Sequence, residues 1–474
     1  MNINKHQKNI LLAMLSGLLG ALAFPPMEFT FLGWVCLVPL IFAIRGSSPR
    51  QAFWYSYIAG FIFFGSLLYW LVNVTIPGFI LLVLMFAVYY ALFGMMVRMV
   101  LNYSMDLLIL PFAWVALEYI RSHMFTGFPW GLLGYSQYTT INIVQIADIT
   151  GAYGVSFIMV AFNVALFAVL SRRERKIAYM MIALMFMLMS TSYGIYRFNN
   201  YNVWGSPRIS VVQGNVPQDQ KWNPGFAEEI VKTYTGLTKQ AALADADLII
   251  WPETSYPYLV EAGRPVAEEV NALAREQHIP ILSGIVYREG DDYYNSAVLF
   301  NGGEDLPIYH KTHLVPFGEY IPFKNAISFL RGYIDKPIGD FRRGGEYSLF
   351  TLKSNASSKN VSGKIISRTN FYKFGVLICF EDIFPYLSRA FVFAGANFLV
   401  NITNDAWFGD TAASRQHLQS SVFRAIENRV PVIRAANTGV SGFVDSTGKI
   451  ISTVEVEGEE IFVTGVQTDS VNIY

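Results

Sequence analysis

Seven apolar runs crowd the first 196 residues, near 10–24, 29–44, 52–72, 78–101, 107–120, 151–170 and 177–195. A helix needs about 20 residues to cross a bilayer, so these runs predict about seven membrane spans, the 107–120 run being the shortest. The stretch 125–140, "FTGFPWGLLGYSQYTT", is aromatic but too broken by glycine and proline to span. It is expected to lie in the membrane interface or to re-enter the bilayer. The first run is not read as a removable signal, because no small-residue cleavage site follows it and further spans do.

From residue 208 the pattern changes. Short β-rich runs alternate with amphipathic ones. Strands are predicted at 208–216, 246–253, 279–288, 294–301, 374–380 and 396–403, with two more across 431–451. Helices are predicted at 225–244, 263–278, 383–395 and 412–429. Strands apolar on both faces belong to a sheet covered by helices. The order therefore predicts one α/β domain of sandwich type with its chemistry at strand ends. Residues 353–370, "KSNASSKNVSGKIISRTN", are polar and weakly patterned, and are expected to form a surface loop. No internal repeat is present.

Charge divides the chain at the same place. Residues 1–196 hold ten Lys/Arg and five Asp/Glu; the remainder holds 25 basic and 30 acidic residues. Without a basic field there is nothing to gather phosphates, which argues against a nucleic-acid partner. With a cytoplasmic N-terminus, Lys5, Lys8, Arg45, Arg50, Arg98 and the cluster Arg172, Arg173, Arg175 and Lys176 all fall inside, and only Arg121 falls in an outer loop. That bias obeys the positive-inside rule. Seven crossings then put residues 197–474 outside, in the periplasm of a two-membrane bacterium; a miscounted span would put them in the cytoplasm. Cys36 lies in the second span and Cys379 in the outer domain, so no disulfide framework is expected and Cys379 is a candidate reactive thiol.

Three strand ends carry candidate chemistry. "DLIIWPET" brings an apolar strand to Glu253, "PIYHKTHLVPFGEYIP" holds Lys311 and Glu319, and "GVLICFED" holds Cys379. A thiol needs a base or a cation to act at neutral pH. A carboxylate can take its proton, and a lysine can stabilise the thiolate and then the oxyanion formed on a carbonyl. A helix starting near 383 would add its dipole to the same bias. Glu, Lys and Cys together make an acyl-transfer set without metal or cofactor. Taken singly, each has a plainer reading: a solvated loop acid, a surface lysine, a core thiol.

The order WPE…HK…PFGEY…CFE resembles the nitrilase (carbon–nitrogen hydrolase) superfamily, and "NDAWFGD" (404–410), "QGNVPQDQKW" (213–222) and the segment 415–442 match it further. With the span-rich first half, the whole resembles that superfamily's membrane-embedded branch, the apolipoprotein N-acyltransferase family. The resemblance implies a multi-span α-helical membrane domain over 1–196 and an αββα sandwich over 197–474. It implies Glu253 as general base, Lys311 as oxyanion stabiliser and Cys379 as nucleophile, with Glu319 and Glu381 in support and Trp222 on a loop shaping substrate access. The implied reaction moves an acyl chain from a phospholipid, typically the sn-1 chain of phosphatidylethanolamine, through a thioester on Cys379. The acceptor is the α-amine of an S-diacylglyceryl cysteine at the N-terminus of an apolipoprotein. A monomer is expected. The aromatic segments 125–138 and 316–323 are expected as interfacial anchors.

Two departures stand out. The family's residue after the cysteine is usually Tyr and is Phe380 here, which keeps a packing ring and loses a hydroxyl. An eighth span usually follows the catalytic domain, whereas this sequence ends in "TGVQTDSVNIY"; seven spans are still expected to tether it. A membrane-tethered amidase passing its acyl group to water shares the same three residues and stays open on sequence. A transporter or sensor would place ionisable groups inside the spans; Glu118 and Arg98 lie near span ends and Asp106 and Asp148 at boundaries.

Overall fold

The computed structural model describes residues 4–101, 106–198, 203–262, 267–320, 340–359 and 365–474. The start of the expected 263–278 helix and the expected anchor residues 321–323 fall outside them. The chain forms two compact units, one of residues 1–201 with 411–427, the other of residues 202–410 with 428–474.

In the first unit the apolar runs become helices α1 (Lys5–Leu22), α2 (Val38–Ile44), α3 (Pro49–Leu67), α4 (Ile76–Val100) and α5 (Asp106–His123). After two single turns, α6 (Ile141–Val144) and α7 (Ala147–Thr150), come α8 (Ala152–Leu170) and α9 (Lys176–Phe198). Helices α1 and α3 begin where the sequence supplies capping boxes, Asn4 with Gln7 and Ser48 with Gln51. Gly94 lets α4 close on α3, since a Cβ there would lie 1.8 Å from the Ser56 hydroxyl.

Among the described residues, three helices, α4, α8 and α9, are long and apolar enough to cross a membrane, by length and composition. The run 29–44 shows why an apolar stretch need not be one helix. A 3-10 turn (Thr30–Trp34) precedes the seven residues of α2. Asn163 of α8 holds the break open, accepting from Leu37 N at 2.8 Å and donating to Gly33 O at 3.1 Å. The 125–138 stretch is partly buried within its own unit, with Phe125 left 80% exposed. Arg121 donates to Phe128 O (2.9 Å) and Trp130 O (2.6 Å), and Trp130 and Tyr135 are buried.

Residues 411–427 are the unexpected member of this unit. Gln416 is buried among tryptophans: its Oε1 accepts from Trp70 Nε1 (3.1 Å) and Trp130 Nε1 (2.8 Å), and its Nε2 donates to Pro25 O (3.1 Å) and Leu67 O (3.2 Å). Arg424 donates to the Tyr135 hydroxyl at 3.1 Å and pairs with Glu427, which accepts from the first amide of α8.

The second unit holds β1 (Arg208–Gln213), α10 (Gln218–Lys221), α11 (Ala227–Ala242), β2 (Leu248–Ile250), β3 (Leu259–Glu261) and α12 (Glu268–Gln277). Next come β4 (Ile281–Glu289), β5 (Asp292–Phe300), β6 (Ile308–His310), β7 (Phe350–Lys359) and β8 (Ile365–Ile378). The chain then forms α13 (Pro385–Phe393) and β9 (Phe398–Thr403) and, after α14 (Ala413–Asn428), which belongs to the first unit up to Glu427, β10 (Val432–Ala436), β11 (Gly442–Val444), β12 (Ile450–Thr453) and β13 (Gly465–Ser470). One sheet runs β13-β1-β2-β4-β5-β6 with β3 beside β4; the other runs β12-β11-β10-β9-β8-β7. The parallel cores β1-β2-β4 and β8-β9-β10 carry the predicted apolar strands. Strand β1 packs against β10 across the sheets, with α11 and α12 on one outer face and α13 on the other. This is the α/β sandwich expected.

The stretch 353–370 is corrected. Its described residues form the β7–β8 hairpin, in register from Phe350↔Phe374 to Lys359↔Ile365, and residues 360–364 fall outside the description. A polar run read as loop can still be strand, because the ladder is made by the backbone whatever the side chains. Here β7 is the edge of its sheet.

Candidate active site

The three strand ends converge within the second unit. Glu253 follows β2 by two residues, Trp251 and Pro252. Its chain lies so close to β4 that a Cβ on Gly284 would sit 2.6 Å from Glu253 Cα and 2.4 Å from Thr254 N. Lys311 follows β6, its amide bound to Asn295 O of β5 at 2.8 Å, and its side chain is 1% exposed. Cys379 follows β8 with φ +53°. A non-glycine residue in the left-handed region costs about 1–3 kcal/mol and marks a position the surroundings enforce.

Lys311 Nζ donates to Glu319 Oε1 at 2.9 Å and lies 3.8 Å from Glu253 Oε1. Asn295 Nδ2 bridges the two acids, 2.7 Å from Glu253 and 2.8 Å from Glu319. Glu319 also accepts from Val315 N at 2.8 Å. Two carboxylates side by side repel; one ammonium and one amide between them are what let both face the same space.

Glu381, fully buried, joins the lysine loop to the cysteine turn. Its Oε1 accepts from Thr312 N (2.7 Å), Thr312 Oγ1 (3.0 Å) and His313 N (3.0 Å), and its Oε2 from Ile378 N (2.8 Å). The Tyr309 hydroxyl reaches both oxygens, at 2.9 and 3.0 Å. Behind the turn, buried Arg434 binds Asp382, Asn401 and Asp405 at 3.3, 2.6 and 2.8 Å. Asn401 Nδ2 in turn donates to Leu377 O and Cys379 O, at 3.0 and 3.1 Å.

Burial pushes the Cys379 thiol above its usual range and the Glu253 charge pushes it further; Lys311 opposes them and loses. A 3-10 turn (Cys379–Ile383) separates the thiol from α13. The balance favours the protonated thiol, whose proton then has to leave as the sulfur attacks. Burial works against the charge of Lys311, but Glu319, Cys379, Glu253 and Glu381 outweigh it and hold the ammonium well above its usual range. Burial raises Glu381 while the amides of Ile378, His313 and Thr312 pull it down, the net being upward.

Trp222 stands apart, 42% exposed. Phe380 packs its ring on Phe384 (centroids 5.2 Å apart) and His313 (6.3 Å), so the ring has a packing partner without a hydroxyl. Sequence reading passed over Asn295, hidden in the alternating strand "YNSAVLFN", and Lys221, whose only signal was its place next to Trp222. Among the described residues, no group of three or more His, Cys, Asp or Glu could hold a metal ion.

Comparison with known proteins follows the same division. The model of the apolipoprotein N-acyltransferase N-terminal domain matches residues 16–165, and that of carbon-nitrogen hydrolase matches residues 208–473. The apolipoprotein N-acyltransferase of Geobacter metallireducens is 38% identical over 468 residues, covering 94% of this chain and 86% of that protein. That of Methylococcus capsulatus is 33% identical over 472 residues, covering 94% and 87%. Among solved structures, Saccharomyces cerevisiae Nit3, of the nitrilase superfamily, is 19% identical at a TM-score of 0.40, covering 58% of this chain and 92% of that one.

Proposed function

This chain belongs to the apolipoprotein N-acyltransferase family, within the carbon–nitrogen hydrolases, and on that premise we propose that Cys379 carries the acyl chain, Glu253 moves the protons and Lys311 stabilises the oxyanion. The protein is an N-acyltransferase of lipoprotein maturation. Its acceptor is the α-amine of an apolipoprotein's N-terminal S-diacylglyceryl cysteine, and its donor is a phospholipid, phosphatidylethanolamine being the expected one.

In the first step Cys379 Sγ attacks the donor ester carbonyl as Glu253 takes the thiol proton. The carbonyl oxygen becomes an oxyanion, which the Lys311 ammonium stabilises. Collapse breaks the ester C–O bond, and Glu253 returns the proton to the departing lysophospholipid oxygen. In the second step the acceptor amine attacks the thioester, Glu253 takes its proton, an amide forms, and Cys379 leaves and is reprotonated. Glu319, Asn295 and Glu381 act as positioning residues, holding Lys311 between the base and the nucleophile.

The observation that carries this reading is the Lys311 ammonium, 2.9 Å from Glu319 and 3.8 Å from Glu253, within the electrostatic reach of a left-handed Cys379. Three helices of membrane-crossing length support a membrane-embedded first unit. We read residues 1–196 as a multi-pass domain and 197–474 as a catalytic domain on the periplasmic side of a bacterial inner membrane. Two-sided labelling of introduced cysteines tests that topology, and labelling of the catalytic domain from the cytoplasmic side refutes it.

Intact-protein mass spectrometry tests the chemistry. Wild type incubated with phosphatidylethanolamine is expected to gain one acyl mass, removed by hydroxylamine, absent from Cys379→Ser and discharged by a diacylglyceryl-cysteine peptide. Lysophospholipid with free fatty acid and no acyl transfer to the peptide would instead identify a hydrolase.

A further inference from the structure

Lys221 is a buried cation that the chemistry above does not use. Lysine almost always keeps its ammonium in water, yet Lys221 is 4% exposed while the next residue, Trp222, is 42% exposed. Its Nζ donates to the main-chain oxygen of Glu253 at 2.8 Å, the one hydrogen bond that this ammonium makes among the described residues. The same bond is the one that Glu253 O accepts there, because the carbonyl lies beyond the ladder to β4. The peptide at Glu253 is thus held both by the close pass of Gly284 and by Lys221. Helix α10, which ends in Lys221, has a second tie where Asn404 Nδ2 donates to Gln218 at 2.8 Å.

We propose that Lys221 is a positioning residue for acyl transfer, latching the segment Gln218–Trp222 onto the backbone of Glu253 so that one charged hydrogen bond sets both the base and the exposed tryptophan. The inference rests on the reading of Glu253 as the base. The titratable groups facing the ammonium are the Glu253 carboxylate, at the end of β2, and the Cys379 thiol, at the end of β8. Burial lowers Lys221 to about 8, with those two groups pulling the other way. The latch is therefore at full strength below that pH and loses its charge above it.

The test is the single-turnover acylation rate of Cys379 by phosphatidylethanolamine in micelles, for wild type and Lys221→Met, from neutral pH to about pH 10. The ratio of the two rates cancels every ionisation they share. It is expected to be about tenfold at neutral pH, the scale of one hydrogen bond to a charged donor, and to fall towards one as pH rises past about 8. A ratio near one at neutral pH overturns the proposal. So does a ratio that stays constant with pH, which is what loss of packing alone produces.

Hydrogen exchange over 218–222 reads the latch without turnover. Faster exchange in Lys221→Met at neutral pH, with the sheets unchanged, supports it, and equal exchange overturns it. Should Lys221→Met fail to fold, wild-type exchange corrected for intrinsic rate is expected to rise through the same pH window, and a flat profile overturns the latch. Failure of wild type to gain a hydroxylamine-labile acyl group overturns the acyl-transfer reading instead, and the exchange experiment still decides the latch.

Discussion

Glu381→Gln changes one atom of a fully buried side chain and should slow acylation severely. The carboxylate accepts from three main-chain amides, Thr312, His313 and Ile378, and from two hydroxyls, Thr312 and Tyr309. A carboxamide has one acceptor atom. If its oxygen keeps Thr312 and His313, its NH2 meets the Ile378 amide, donor against donor. The flipped amide meets two donors instead of one. The better choice loses a hydrogen bond to a charged acceptor, about 1.5–3 kcal/mol, and strands a buried N–H, about 1–3 kcal/mol. Roughly 3 kcal/mol is the expected loss. Because the clasp joins the Lys311 loop to the turn of Cys379, a loss of that size expressed as misplacement of the ammonium is roughly a hundredfold in rate. The assay is single-turnover acylation by intact mass, run beside thermal unfolding in the same detergent. Glu381→Gln that acylates within threefold of wild type, with an unchanged melting point, would refute the clasp.

Cys379 should alkylate with iodoacetamide more slowly than a free thiol at neutral pH, since burial and Glu253 hold it protonated; faster labelling would mean a preformed thiolate. Gln416→Leu strands two indole N–H groups and two carbonyls in the first unit. At about 1 kcal/mol each, a loss of roughly 4 kcal/mol is expected by thermal unfolding, and an unchanged midpoint argues against the cluster. Burial, with Lys311 and Arg343, lowers His313 to about 4 from 6.5. The unfolded chain therefore takes that proton first, and stability present above 6.5 is lost as pH falls towards 4. His313→Gln should flatten that part of the pH–stability curve, and an unaltered slope would assign it to other groups.

Much of the site could be read from the chain because its parts end strands. "DLIIWPE" and "GVLICFE" each run apolar and then stop on a functional group, which is what a buried parallel strand does where it leaves the sheet. Glu381 was legible only as a second acid, and its work as a clasp required the 309–313 segment, about 70 residues earlier in sequence, to lie beside it. Asn295 gave no signal. One amide in a strand looks like any polar position until two carboxylates from elsewhere are set on either side of it.

The periodicity and order of residues by themselves determined an apolar first half, an α/β second half, and a Glu, Lys and Cys at three strand ends, because burial patterns and strand termini are local properties. Tertiary structure alone decided the rest. It broke the 29–44 run at Asn163, packed residues 411–427 among the tryptophans of the first unit, and paired the polar 353–370 stretch as a hairpin. It also set the balance of forces on the thiol's proton. That balance sums desolvation against charges brought together from β2, β6 and β8, and no stretch of sequence contains more than one of them.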